Sequence, residues 1–295
     1  MLTLKSSDLS PLQLQNYLQY AIAPRPICFA STIDKSGNVN LSPFSFFNMF
    51  STNPPMCVFS PSRRVRDNTT KHTLENVLEV KECVINIVNY AMVQQMSLAS
   101  TEYGKEVNEF EKAGFTMLPS QMVKPPRVAE APVQFECIIT EVISLGDNPG
   151  AGNLVLAEIK VIHIDENILD KDGKIDQEKI DLVARLGGDW YCRVTKENLF
   201  QVPKPLTTLG IGVDALPYGV RNSMVLTGND LGMLGNVAAL PSPEEIDDIA
   251  VLSEVKEVLD ATIGDPGNRT RELQELAKQF LIEGRVLDAL KVVLL

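Results

Sequence analysis

The sequence contains few of the side chains that most enzymes use for acid–base or metal chemistry. Its 295 residues include two histidines, His72 and His163, and a single tryptophan. No Cys-x-x-Cys or His-x-x-x-His pair occurs, so the chain has almost nothing from which to build a zinc site or an imidazole-activated nucleophile. We therefore expect no metal site and no catalytic side chain of these kinds.

The sequence also lacks the signatures of disulfide-linked and membrane proteins. Its five cysteines are odd in number and widely spaced, and most lie in apolar runs, which favours reduced thiols in a core. No stretch reaches the roughly 20 apolar residues of a membrane span, and residues 1–10 contain no apolar signal-peptide core. The formal net charge of -11 repels polyphosphates and anionic lipids. We expect a cytoplasmic protein with no nucleic-acid or membrane partner.

Segments of strand-like composition dominate the first 200 residues. Residues 27–41 read as strand, Gly-containing turn and strand, and residues 133–164 form a longer hairpin around a Gly-rich turn at 146–152. We expect further strands at 56–60 and 82–88, and helices at 73–80, at 90–100 with Asn89 as its cap, and at 109–113. A run of hairpins with few helical crossovers predicts a mainly β fold, in which an antiparallel sheet closes into a barrel with flanking helices.

The composition changes after Trp190. A connector rich in proline and glycine is followed by a capping box at Ser242–Glu245, with proline at the first helical position. We expect a helix from there to about Ile263, a break at Gly264–Gly267, and a last helix to the chain end. The predicted domains are a β domain at 1–202 and a connector with a helical C-terminal extension at 203–295.

An aromatic cluster follows the first hairpin at Ser42–Asn48 and contains three phenylalanines. Backbone N–H groups that leave the strand ladder there can meet the carbonyls and ring nitrogens of a flat heterocycle, while phenylalanine rings shield its faces. The alternative is that these phenylalanines belong to the core.

A basic cluster lies close by at Ser60–Thr73, with four basic residues against one acid before a predicted helix. Arginine, lysine, hydroxyl groups and free helix N–H groups together favour phosphate. The alternative is a solvated surface loop. An aromatic platform beside an anion site suits a phosphorylated ring compound such as FMN or pyridoxal phosphate. FMN is favoured because no lysine lies in a recognisable Schiff-base pocket and because a flavin needs no side-chain acid. We expect Phe46 and Lys71 to line one cavity.

The order of several motifs resembles the flavin reductase-like family of FMN-binding split barrels, the group that includes flavoredoxin. The resemblance covers about Ala23 to Arg193. It rests on Pro24–Ile27, Ser31–Thr32, Asn40–Asn48, Pro54–Pro55, Lys71–Asn76, Phe110–Gly114, Val123–Arg127 and Arg185–Tyr191.

The resemblance implies a six-stranded antiparallel barrel with flanking helices, a homodimer, and FMN near the subunit boundary. It implies that the isoalloxazine and ribityl chain lie by Ser31, Thr32, Ser45, Phe46, Phe47 and Asn48, and the phosphate by Ser60, Arg66, Lys71 and Thr73. It also implies that Arg185–Tyr191 shapes the nicotinamide or substrate side.

The function that this resemblance implies is oxidoreduction, in which FMN takes a hydride from NAD(P)H or electrons from a redox partner protein and passes them to free flavin or another acceptor. Related NAD(P)H:flavin reductases commonly carry a histidine in the turn of the long hairpin, whereas residues 146–152 of this chain contain none. A non-catalytic barrel that binds or senses flavin or haem is the alternative function.

Overall fold

The computed structural model describes residues 1–206 and 209–295. The chain divides into two compact units, Met1–Leu199 and Phe200–Leu295. In the described parts of the chain, no helix has both the length and the apolar character that crossing a bilayer requires.

The first unit is built on a seven-stranded sheet in which all neighbouring strands run antiparallel. Its strands are β1 (Cys28–Ile33), β2 (Val39–Phe44), β3 (Phe47–Thr52), β4 (Pro55–Phe59), β5 (Glu82–Ile87), β8 (Val133–Ser144) and β9 (Asn153–Ile164), and they are arranged in the order β2-β1-β5-β8-β9-β4-β3. Two short pairs complete the strands, namely β6 (Met117–Leu118) with β7 (Arg127–Val128), and β10 (Val183–Arg185) with β11 (Tyr191–Arg193).

The sheet must roll up, because its two edge strands follow each other in the chain. β2 and β3 lie at opposite edges, yet only Ser45 and Phe46 separate Phe44 from Phe47. Two residues span only a few ångströms, so the edges meet at this turn. The result is the mainly β, antiparallel split barrel predicted from the sequence, with seven strands in the sheet instead of six. The additional edge strand is β3, which the sequence analysis placed partly in the aromatic loop.

Strand β1 is buried on both faces because each face meets a different core. Cys28 and Ala30 pack with Phe44, Phe59 and other residues of the barrel interior. Phe29, between them in the chain, packs on the opposite side of the sheet, its ring centroid 5.3 Å from that of Phe115. Alternation of side chains along a strand produces this division.

The first unit contains four α-helices, namely α1 (Pro11–Ala21), α2 (His72–Glu79), α3 (Val93–Leu98) and α4 (Glu109–Ala113), of which α2, α3 and α4 pack on the sheet. Helix α1 is not among the predicted helices, although Ser10 and Gln13 form a capping box at its start. The expected helix at 90–100 is instead a 3-10 turn, Tyr90–Met92, followed by α3. Asn89 makes no side-chain cap there, because its backbone pairs with Leu182 and Tyr90 N–H donates to Asp181.

A buried carboxylate, Glu136 on β8, anchors the loop between β6 and β7. It is fully buried and accepts hydrogen bonds from the N–H groups of Gln121 and Met122 at 2.8 and 2.6 Å. It also lies 2.7 Å from Nε2 of His163 on β9. Burial raises the pKa of Glu136, but these hydrogen bonds lower it by more, so the net pKa lies below its ordinary value. His163 is thus part of this buried hydrogen-bond network.

The second unit is helical and has its own apolar core, which includes Leu234, Phe280 and Leu290. Its helices are α5 (Tyr218–Arg221), α6 (Gly228–Leu234), α7 (Pro243–Ile249), α8 (Ser253–Ala261), α9 (Pro266–Ile282) and α10 (Val286–Val293). The predicted capping box at Ser242 is confirmed.

Both long helices predicted for the second unit are interrupted. The first is broken at Leu252, which is extended although no glycine or proline lies there, and Ile249 and Val255 on either side of the break are buried in the same core. The last helix breaks at Gly284, whose φ of 78° is the left-handed conformation that ends helices.

We expect Glu136→Gln to lower the free energy of unfolding of the first unit by about 1–3 kcal/mol at neutral pH, because buried N–H groups lose a charged acceptor. Since the folded-state pKa of Glu136 is lowered, its stabilisation is present above the ordinary value of 4.5 and is lost as pH falls through the folded value. The difference between variant and parent must therefore shrink in acid.

Urea titrations at several pH values, followed by the fluorescence of Trp190, measure this effect in the first unit. Glu141→Gln, an exposed carboxylate on the same strand, is the matched control. A loss of stability that is the same for both variants, or that does not shrink in acid, would contradict this role of Glu136.

Candidate functional site

A cleft of about 360 Å³ opens beside the turn that joins the two edge strands. It is lined by residues from α1, the segment before β1, the end of β2 and the turn after it, the loop before α2, the region of α3, and the β10–β11 pair. They are Gln19, Arg25, Ile27, Pro43, Phe44, Ser45, Phe46, Ser60, Ser62, Lys71, Met96, Ser97, Ser100, Arg185 and Tyr191.

The turn at Ser45–Phe46 provides one wall of the cleft. Phe46 is 43% exposed, and its carbonyl accepts a hydrogen bond from Ser60 N–H at 2.9 Å. Neither Ser45 nor Phe46 donates its own backbone N–H to another backbone group outside the strand ladders of the described structure. The turn therefore offers an aromatic side chain and free N–H donors to a ligand.

The arginines of the basic loop point to protein partners instead of the cleft. Arg63 donates to the Asn68 side chain at 2.8 Å and to its carbonyl at 2.7 Å. Arg64 and Arg66 each form an ion pair with Glu102 at 2.9 Å. These three guanidinium groups, which were predicted to help bind an anion, thus use hydrogen bonds and ion pairs within the protein instead.

Lys71 is the basic residue of this loop that faces the cleft. Within residues 1–206 and 209–295 no carboxylate pairs with it. Burial first, and Arg64 second, lower the pKa of its ammonium group. Lys71 also precedes α2, whose first turn has no side-chain cap, so the N–H groups of His72 and Thr73 remain free. A partly buried cation beside a helix N-terminus favours an anion.

Arg25 provides a second cation, which the sequence analysis did not assign. The guanidinium donates to the carbonyls of Ile22 and Leu186, both at 2.7 Å, and Nε lies 3.4 Å from Ser45 Oγ. Burial first, and Arg185 second, lower the pKa of Arg25. The Arg25 guanidinium thus connects the end of α1, the turn at 45–46 and the late segment, residues 185–191.

Arg185 provides the third cation. Its backbone exchanges two 2.9 Å hydrogen bonds with Arg25, which join the late segment to the start of the barrel. Its guanidinium donates to Tyr191 Oη and to the Gly188 carbonyl, and lies 4.7 Å from the centroid of the Tyr191 ring. Arg185 and Tyr191 were expected near the substrate side, and both line the cleft.

The cleft lining carries three cations and, among the described residues, no carboxylate, imidazole or thiol. The whole chain has a net charge of -11, so this concentration of positive charge is local. An anionic ligand offsets the cost of holding unpaired cations together. Apart from the arginines, Lys71 and Tyr191 are the titratable side chains among the described lining residues.

The structure places the ten residues proposed from the sequence in different environments. Ser45, Phe46, Ser60 and Lys71 line the cleft, so Phe46 and Lys71 share one cavity as expected. Thr73 lines a small adjoining cavity, where it accepts a hydrogen bond from Asn40 at 2.8 Å. The other five do not line the cleft: Ser31 and Thr32 are fully buried in β1, Phe47 and Asn48 lie on β3, and Arg66 is 74% exposed.

Comparison with known proteins places this barrel in a family. A family model described as the flavin reductase like domain matches residues 20–179, more than half of the chain. The chain belongs to the flavin reductase like family. The match includes the turn, Lys71 and Arg25, whereas Arg185, Tyr191 and the second unit lie beyond its end.

Relatives of this family member span most of its first unit. An uncharacterized protein of Aquifex aeolicus is 40% identical over 181 residues, which is 61% of this chain and 90% of the relative. Component B of nitrilotriacetate monooxygenase from Bacillus cereus is 27% identical with a TM-score of 0.64, covering 68% of this chain and 98% of that structure. The 2-nitrobenzoate 2-nitroreductase NbaA of Pseudomonas fluorescens is 27% identical with a TM-score of 0.61, covering 71% and 100%.

Proposed function

We propose that the protein is an FMN-dependent oxidoreductase that takes hydride from NAD(P)H and passes reducing equivalents to a small acceptor. The observation that carries the proposal is the cleft itself, in which Phe46 and the free N–H groups of its turn lie in one cavity with the unpaired Lys71. Membership of a flavin reductase family supports a flavin, and the anion site supports one that ends in phosphate.

The residues of the cleft fit the two ends of FMN. Lys71 and the free N–H groups of His72 and Thr73 would hold the phosphate. Ser60 would contribute its hydroxyl hydrogen, since its Oγ already accepts a hydrogen bond from Asn153 N–H at 3.0 Å. Ser45 and Phe46 would bind the ring edge and cover part of one ring face. A cleft of about 360 Å³ is within the usual size range of cofactor sites.

Bound FMN supplies hydride acceptance and donation at its own ring nitrogen, so the protein needs no side-chain acid or base for that step. The chain's part is binding and electrostatics. The phenylalanines and Met96 exclude water from the cleft, and Arg25 fixes Ser45 through Nε. Arg25 and Arg185 would place positive charge in the cleft that favours negative charge on a reduced flavin.

The haem-binding alternative is less well supported by this site. Neither His72 nor His163 lines the cleft, and no cysteine does. His163 is paired with Glu136, and His72 lines the small adjoining cavity.

We also propose that the protein works in the cytoplasm, as its five cysteines are all free thiols.

We expect Lys71→Ala to weaken FMN binding by at least about 10-fold, because a charge-assisted contact with the phosphate is lost. Arg66→Ala should change the affinity less than about 3-fold, since Arg66 is exposed and paired with Glu102. Titration of each apoprotein with FMN, followed by the quenching of flavin fluorescence, gives both dissociation constants. Equal losses in the two variants, or no loss in Lys71→Ala, would place the phosphate elsewhere.

We expect the purified protein reconstituted with FMN to be yellow and to bleach when NADH or NADPH is added without oxygen. A visible-absorbance titration with each nicotinamide, and then with dithionite, distinguishes the proposed activities. Bleaching by a nicotinamide supports the reductase. Bleaching by dithionite alone would point to an electron carrier served by a partner protein, and a protein that ignores added FMN would overturn the proposal.

We propose that two copies associate through β3, whose outer surface exposes Met49 and Phe50, the latter by 70%. An edge strand with exposed large apolar side chains is a surface that proteins usually cover. We expect sedimentation to give a dimer for the parent chain and a monomer for Phe50→Glu. Glu158→Gln, on the central strand β9, should leave the dimer intact. A monomeric parent chain, or a Phe50→Glu dimer, would contradict this interface.

A further inference from the structure

A side pocket of about 350 Å³ adjoins the cofactor cleft. The two cavities share Ser97, Arg185 and Tyr191, so a ligand in the side pocket lies next to whatever fills the cleft. Tyr90 and Arg193 line the far side of the side pocket. Because Arg185 is common to both cavities, its charge can act on ligands in either one.

The charge of Arg193 is already compensated. Its guanidinium donates two hydrogen bonds to the Asp181 carboxylate at 2.7 and 2.9 Å, a bidentate pair. It also stacks on Tyr90, with the guanidinium carbon 3.8 Å from the ring centroid. Arg193 therefore forms a fixed wall and has no remaining need for an anion.

Arg185, unlike Arg193, has no close carboxylate partner among the described residues. Its hydrogen-bond acceptors, Tyr191 Oη and the Gly188 carbonyl, are both neutral. The carboxylate nearest to it among the described residues is that of Asp189, which also lines the side pocket but is fully exposed and lies 4.0 Å away. A contact of this length in water contributes little. Arg185 therefore keeps both an uncompensated charge and free N–H donors, and two neutral contacts hold its orientation.

Arg185 remains available once the cleft is occupied in the way proposed above. Lys71 would then pair with the FMN phosphate, and the Arg25 guanidinium already donates to three backbone carbonyls. Arg25 has no carboxylate partner among the described residues either, but most of its N–H groups are already used. The Arg185 guanidinium, which lines both the cleft and the side pocket, keeps free N–H donors as well as its charge.

We propose that the side pocket binds the carboxylate of a planar aromatic electron acceptor and that Arg185 determines this specificity. The single negative charge of a carboxylate balances the single positive charge of one guanidinium. Its two oxygens also match the geometry of two guanidinium N–H groups. Tyr90 and Tyr191 line the pocket and offer aromatic surface to a ring. This inference rests on the proposed FMN site, because the acceptor must lie against the flavin.

Trp190, the only tryptophan of the chain, is exposed and does not line the side pocket, but it precedes Tyr191, which does, so its fluorescence is one of two signals. The FMN-loaded protein is titrated with benzoate, with its neutral isostere benzamide, and with phenyl phosphate. Binding is followed by Trp190 fluorescence and by the visible difference spectrum of the flavin. We expect benzoate to bind at least about 10-fold more tightly than benzamide and more tightly than phenyl phosphate.

Variants of Arg185 assign the preference to this side chain. Arg185→Gln should bring the ratio of the benzoate and benzamide dissociation constants close to one. Arg185→Lys keeps the charge but loses the planar fork, so it should retain an intermediate ratio and serves as a second variant if Arg185→Gln folds poorly. Lys160→Gln, which removes an exposed charge on β9, is the matched control and should keep the full ratio.

The outcomes separate this inference from the proposed function. The flavin absorbance of each protein is measured before the titrations, and failure to bind FMN contradicts the proposed function. FMN binding without a preference for benzoate over benzamide contradicts only the carboxylate pocket. A preference that survives Arg185→Gln, or tighter binding of phenyl phosphate, also overturns it.

Discussion

The two-residue connection between opposite edges of the sheet is the constraint on which the rest of the first unit depends. Because Ser45 and Phe46 alone join β2 to β3, the sheet has to roll until its edges meet. The hydrogen-bond ladder cannot close there, so free N–H groups remain at the seam. The unpaired backbone donors of the cleft thus follow from the topology of the barrel, and the loops around them supply its charges.

The local part of the fold was predictable because its signals are local. The hairpin of β1 and β2 and the long hairpin of β8 and β9 follow from strand composition interrupted by glycine turns, and both are present. Strand β3 was missed because Phe47–Thr52 continues an aromatic and polar segment without a turn signal of its own. The break between α7 and α8 has no local cause, since burial of Ile249 and Val255 in one core decides it.

The candidate site was predictable only where its residues are close in the sequence. Phe46 lies on the turn between β2 and β3, Lys71 lies on the loop between β4 and α2, and both line the cleft. Arg25 and Arg185 are 160 positions apart and meet through a single antiparallel bridge, which composition cannot show. The reverse holds for Arg63, Arg64 and Arg66, because a run of basic residues does not reveal that Asn68 and Glu102 occupy their guanidinium groups.

The energetics of the cleft connect stability to binding. Lys71 and Arg25 both have lowered pKa values, so the folded protein holds their charged forms at a cost that arises mainly from burial. Neither has a carboxylate partner among the described residues, although acidic side chains outnumber basic ones by 38 to 27 in the chain. An anionic ligand removes part of that cost on binding, so the relief of this unfavourable free energy adds to the affinity for the ligand. A stable structural ion pair at Lys71 would remove this source of affinity.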